Sequence, residues 1–231
     1  MTMTPDRTTK SARVAGTLYC LVAIGIVMST ITNEALYPRR YTTFANTISD
    51  LSGTEPPHSI VLEPSRTIFV VTMLLSGLAL LVGTYFLARI VARRRFVVAM
   101  TVFGIGLVGI GIFPGDVEGF HPLFAICCFV GGSIAAVMSR TVIDGPLRHF
   151  AWVLGGIALV ATVLGLDAFA DVGPQAELGR GGIERWIAYP VLLWLMAYGA
   201  QLLSVRTSEP AAPPALAAAE TVHDGSHARS G

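Results

Sequence analysis

Charge is scarce in this chain. Only 13% of its 231 residues are Asp, Glu, Lys or Arg and 53% are hydrophobic, against roughly 25% charged in an ordinary soluble domain. That shortage excludes a typical soluble globular fold. It is also uneven, because six windows lack those four residue types altogether: Val14 to Asn33, Thr67 to Ala88, Phe96 to Gly115, Pro122 to Ser139, His149 to Leu166 and Trp186 to Val205. A hydrocarbon core about 30 Å thick needs about 20 helical residues at 1.5 Å each, and helices satisfy their own backbone in lipid. The expected fold is therefore all-α, an integral membrane bundle of six transmembrane helices.

Cysteine is scarce too. Cys20, Cys127 and Cys128 all fall inside apolar windows, and an odd count at lipid depth points to packing rather than to a disulfide framework or a zinc site. Lysine is nearly absent, with fifteen Arg against Lys10 alone; this suggests a GC-rich bacterial source and carries no mechanism. The first apolar run is too long for a secretory signal and ends in TNEALYP without a small-x-small cleavage site, so it reads as a permanent helix.

The basic residues fix an expected orientation. Eleven of the sixteen lie on one side of the six spans; only Arg39, Arg40, Arg66, Arg180 and Arg185 lie on the other. The basic excess marks the cytoplasmic face of a cell membrane, with both termini there. Ten of the fifteen acidic residues fall on the outer side, among them Glu34, Asp50, Asp116, Asp167, Asp171 and Glu184. The expected organisation is a cytoplasmic segment 1–12, a membrane domain 13–205 and a disordered cytoplasmic tail 206–231, whose Pro, Ala and Ser content disfavours a packed core and whose His223 and His227 read as solvent-exposed.

NTISDLSG, residues 46–53, lies between two long apolar runs yet is polar. Read as a helix from about Thr42 to Leu51, it is amphipathic and about three turns long, with Phe44, Ile48 and Leu51 on one stripe and Asn46 one turn before Asp50. Gly53 and Pro56-Pro57 would end it. Asp50 at the bilayer centre would cost about 2.5–3.5 kcal/mol, so the segment is expected at the interface or over the outer mouth of the bundle. The third window closes with Pro114-Gly115, and Pro122 is placed at the first position of the fourth helix, with His121 at its cap beside Asp116. Glu184 is placed in the first turn of the sixth helix, where the dipole favours an acid, with Arg185 beside it. Gly104, Gly106, Gly109 and Gly111 allow close helix approach and place the third helix centrally. Without a preceding strand they are not a dinucleotide loop.

The order of ISDLS after the first span, GIFP closing the third, a His opening the fourth and GIER opening the sixth resembles a bacterial and archaeal membrane-protein family of unknown function, domain of unknown function 998. The resemblance covers about residues 13–205. It implies six membrane helices and a shared outer constellation of Ser49, Asp50, Pro114, His121, Glu184 and Arg185, with no activity attached. Ser52 departs from the Gly usual in that family.

The functional expectation is a polar pocket at the outer interface that binds or processes a lipid or lipid-linked head group. Asn46, Ser49, Asp50, Asp116, His121, Glu184 and Arg185 are its ligand-binding candidates. Asp50, Asp116 and His121 are the candidates for acid, base or metal ligand, and Arg185 for an anion contact. One His with several carboxylates suits a hard divalent cation better than catalytic zinc, and metal and cofactor are left open. Membrane lipids are the expected partners; nucleic acid is not. A non-catalytic scaffold or regulatory subunit and a small-solute transporter are the alternatives, the second weakened by spans without charge.

Overall fold

The computed structural model describes residues 5–166 and 175–205. Asp167, Asp171, His223, His227 and the tail from residue 206 lie outside the described residues. Among the described residues six helices run in chain order: α1 (Pro5–Leu36), α2 (Ser65–Ala88), α3 (Arg94–Ile112), α4 (Phe120–Ser139), α5 (Leu147–Leu166) and α6 (Gln175–Leu203). All six are long and apolar enough to cross a membrane. The chain is thus a multi-pass membrane protein of all-α class. Each helix packs on its neighbours in sequence, and α6 closes the ring on α1 while touching α4 across it.

The outside of the bundle shows why lipid is its solvent. Leu21, Leu75, Phe150, Val160 and Leu193 are large, apolar and well exposed, a pattern that water would penalise and acyl chains do not. Inside, small residues bring backbones together. A Cβ on Gly106 would stand 2.4 Å from the Cys128 backbone nitrogen, and one on Gly109 would collide with the Phe124 ring. Gly104 and Gly111 meet Leu81 and Leu74 of α2 in the same way. The glycines of α3 therefore serve close contact on two sides, so α3 is a stave of the ring rather than its centre.

Helix ends also differ from expectation. α1 begins at Pro5, and Thr9, Ser11 and Ala12 are already buried in its first turns. Gly119 precedes α4 with φ 77°, and the helix starts at Phe120, which puts His121 second and Pro122 third rather than first. Proline is tolerated there because first-turn N–H groups have no intrahelical acceptor. α6 is broken at Gly179 (φ 69°, ψ 165°), so Glu184 lies just beyond the first turn of the continuous part.

The two ends of the ring are closed differently. In the half where α1, α3 and α5 begin, Trp194 and Tyr198 stack with centroids 5.9 Å apart, and Tyr198 meets Tyr19 and Phe96. Trp194 is fully buried, with its Nε1–H on Ser139 Oγ at 2.9 Å. At the other end, the mouth, loop residues 41–53 seal the ring.

Candidate functional site

The plug at the mouth is not the three-turn helix that its periodicity suggests. It consists of a turn at residues 43–45 followed by a single 3-10 turn, Ser49–Leu51. Thr47 and Asp50 form a reciprocal cap on that turn: Thr47 N–H donates to Asp50 Oδ2 at 3.0 Å, and Asp50 N–H to Thr47 Oγ1 at 3.1 Å. This is the capping-box arrangement, which starts a helix at Thr47 and so interrupts one arriving from Thr42. Neighbouring elements also take the carbonyls a longer helix would use internally. Phe44 O accepts from Gly181 N–H at 3.1 Å, Asn46 O from Arg185 at 3.0 Å and Thr47 O from Tyr41 OH at 2.7 Å.

Tertiary contacts hold the plug from three sides. From α2, Ser65 Oγ donates to Leu51 O at 2.7 Å, and Asn33 of α1 reaches Ser65 O at 3.0 Å. From the α3–α4 loop, Gly115 N–H donates to Ser52 Oγ at 2.9 Å, while Ser52 Oγ donates to Ser49 O at 2.7 Å. A Cβ on Gly115 would stand 2.2 Å from Gly53 O. Ser52 is fully buried and joins the turn to that loop through its hydroxyl. From α6, Ile48 N–H donates to Glu184 Oε2.

Arg185 is the plug's main fastener. Its Nη1 donates to Gly181 O at 2.8 Å and Asn46 O at 3.0 Å, and its Nη2 to Tyr41 OH at 2.8 Å and to Glu34 Oε1 in an ion pair. The candidate anion contact is therefore already occupied by an anion of the chain itself. Burial pushes the Tyr41 phenol well above its ordinary range, opposed but not reversed by the Arg185 charge beside it. Tyr41 consequently stays protonated and can donate to Thr47 O. Tyr37 is raised as well, first by burial and then by the Asp50 charge.

Asp116 and His121 do not form a pair. The Asp116 carboxylate faces Arg66 Nη1 at 2.8 Å, and the His121 ring turns to Phe113 O, with Nδ1 at 2.8 Å. The turn between them sends the acid to α2 and the imidazole into the ring. Asn46 stays local: its Nδ2 donates to Asp50 Oδ2 at 3.4 Å and its Oδ1 accepts from Thr42 N–H at 3.1 Å. Among the described residues, no three His, Cys, Asp or Glu side chains come together as a metal site.

The candidates thus differ in what they face, although Glu184, through Ile48 N–H, and Ser49, through Thr47 Oγ1 at 3.0 Å, also hold the plug. Asn46, Asp50, Asp116 and Arg185 are engaged in holding the plug. Ser49, His121 and Glu184 line a cavity of about 60 Å³ beneath it, whose other walls are apolar residues such as Phe69, Phe103, Leu107 and Val191. The same three residues line an adjoining cleft of about 170 Å³ among α4, α5 and α6, with Pro122, Ile126, Thr162 and Ile187 on its walls. Glu55 and Arg180, paired at 2.7 Å, stand at its rim.

Sequence reasoning missed Glu34, Tyr41, Ser52, Ser65 and Arg66. The available signal was the placement of Asn33-Glu34 where the first span ends, since an acid there calls for a partner. That partner, Arg185, is 151 residues away. No curated protein and no solved structure matches the chain. Residues 20–201 match the family described as Protein of unknown function (DUF998), so the chain belongs to the DUF998 family.

Proposed function

We propose that this protein binds an amphiphile, such as a lipid or lipid-linked molecule, with the head at Ser49, His121 and Glu184 and the chain in the cleft among α4, α5 and α6. The observation that carries the reading is that His121 and Glu184 line both an apolar cavity beneath the plug and an adjoining cleft with Glu55 and Arg180 at its rim. Ionisable groups at membrane depth are costly and usually mark a site, and pockets with apolar walls and few polar groups suit such ligands. Size assigns the parts: an apolar cavity of about 150 Å³ takes benzene, so the central cavity of about 60 Å³ suits only a small head. The cleft has room for a stretch of chain.

The mouth is read as facing away from the cytoplasm, with both termini in the cytoplasm and the cell membrane as the setting; the eleven-to-five distribution of basic residues supports that orientation. Asp50, Asp116 and Arg185 support the site by holding its cover, without touching the ligand.

Native mass spectrometry of the purified protein tests this. Wild type and Asp116→Asn are expected to carry a defined amphiphile adduct. Ala125→Phe, which fills a position lining both cavities, is expected to lose it while keeping its thermal unfolding transition. An adduct that survives Ala125→Phe, or none on any form, overturns the reading.

A further inference from the structure

The hydrogen-bonding polarity of the cavity head restricts the ligand further, on the assumption that the amphiphile reading holds. A carbonyl oxygen only accepts, so the contact between His121 Nδ1 and Phe113 O at 2.8 Å requires Nδ1 to carry the hydrogen. In the neutral ring the other nitrogen, Nε2, is then a bare acceptor. His121 is 92% buried, from its 8% exposure, it lines both cavities, and Nε2 has no hydrogen-bond partner among the described residues.

Glu184 adds a second acceptor. One of its oxygens takes the Ile48 N–H, with the Ser49 N–H beside it. A carboxyl group, ionised or protonated, keeps acceptor lone pairs beyond that bond, which leaves capacity toward the cavity it lines. Asp50, Asp116 and Glu55 also lie close enough to act on the imidazole electrostatically.

Among the described residues that line the two cavities, the one Lys or Arg is Arg180, at the rim of the cleft and paired with Glu55 at 2.7 Å. Arg185 is held by Glu34 and three carbonyls, and Arg66 by Asp116. An anion at the cavity head would face the acceptors of His121 and Glu184, with only the Ser49 hydroxyl, itself bonded to Thr47 Oγ1 at 3.0 Å, to replace its hydration.

We propose that the amphiphile bound at His121 and Glu184 carries a hydrogen-bond-donating head, a hydroxyl or an ammonium group, and that phosphate and carboxylate heads are refused. The donor spans His121 Nε2 and the free side of the Glu184 carboxylate, and the chain leaves along Pro122 and Ile126.

The test uses three single-chain probes of equal length, 1-dodecanol, dodecylamine and dodecyl phosphate, with the full chain in phosphatidylcholine nanodiscs. The expected result is that dodecanol or dodecylamine binds at least about tenfold more tightly than dodecyl phosphate, the scale of leaving one buried acceptor unpaired. Which of the two donors wins distinguishes hydroxyl from ammonium. Glu184→Gln retains an acceptor for Ile48 N–H and adds an amide donor, so it should narrow the gap; His121→Phe should narrow it too, with thermal unfolding as the folding control. Dodecyl phosphate binding best in wild type, and lost in Ala125→Phe, overturns the head-group inference and leaves the amphiphile reading standing. If no probe binds above empty nanodiscs, or Ala125→Phe changes nothing, both fail.

Discussion

Glu184 and Arg185 are adjacent in sequence and opposite in use. A helix turns about 100° per residue, so the two side chains leave α6 toward different neighbours. Arg185 points to the α1 side, where Glu34, Tyr41 and the carbonyls of the plug surround it. Glu184 points to the cavity, where it meets one backbone N–H and shares the remaining space with His121. The comparison teaches that a buried charge paired with an opposite charge of the chain is a fastener, and an ionisable group without such a pair that faces a cavity is a candidate for a ligand.

The largest test of that contrast is a pair of substitutions. Arg185→Ala removes one partner of a largely buried ion pair and leaves Glu34 uncompensated, at a cost on the order of 3–5 kcal/mol, so thermal unfolding in detergent should shift sharply downward. Glu184→Gln keeps an acceptor for Ile48 N–H and should change stability by no more than about 1 kcal/mol. Equal losses from the two would erase the distinction.

A smaller effect belongs to the plug itself. Asp50→Ala removes half of the reciprocal cap with Thr47, which should cost about 1 kcal/mol and speed hydrogen exchange at Thr47 and Ile48 ahead of the helices. Uniform exchange would mean that the plug and bundle open together.

The smallest effect is read in pH. Tyr41 titrates above its ordinary value in the folded protein, first because of burial, so the fold favours the neutral phenol. Its contribution is fully present below about pH 10, where the unfolded phenol is also neutral. Above that the unfolded state releases a proton the folded state retains, and stability falls as pH rises toward the folded pKa. Tyr41→Phe, which loses the bonds to Thr47 O and Arg185 and so lowers stability at neutral pH, should flatten that alkaline decline in unfolding experiments.

Much of the architecture was legible before any coordinates. The α3 glycines announced close contact because small residues act the same way wherever a neighbour comes. The site was legible only in part. Ser49, His121 and Glu184 could be named, but not separated from Asp50, Asp116 and Arg185, because all six carry the same local signal of a polar group at an apolar boundary. The plug misled its own periodicity: Phe44, Ile48 and Leu51 fall on a helical stripe, yet Ile48 and Leu51 are buried while Phe44 is 52% exposed.

What the sequence by itself determined is the number and approximate place of the six spans. Hydropathy over about 20 residues is a local property, and lipid leaves an apolar segment of that length little alternative to a helix. Only the tertiary structure decided which polar groups meet. Arg185 takes the plug's carbonyls and Glu34, Arg66 takes Asp116, and Phe113 O sets the His121 ring. Each of these partners is chosen by how the helices close into a ring, and each choice removes from availability a group that would otherwise have been free to bind.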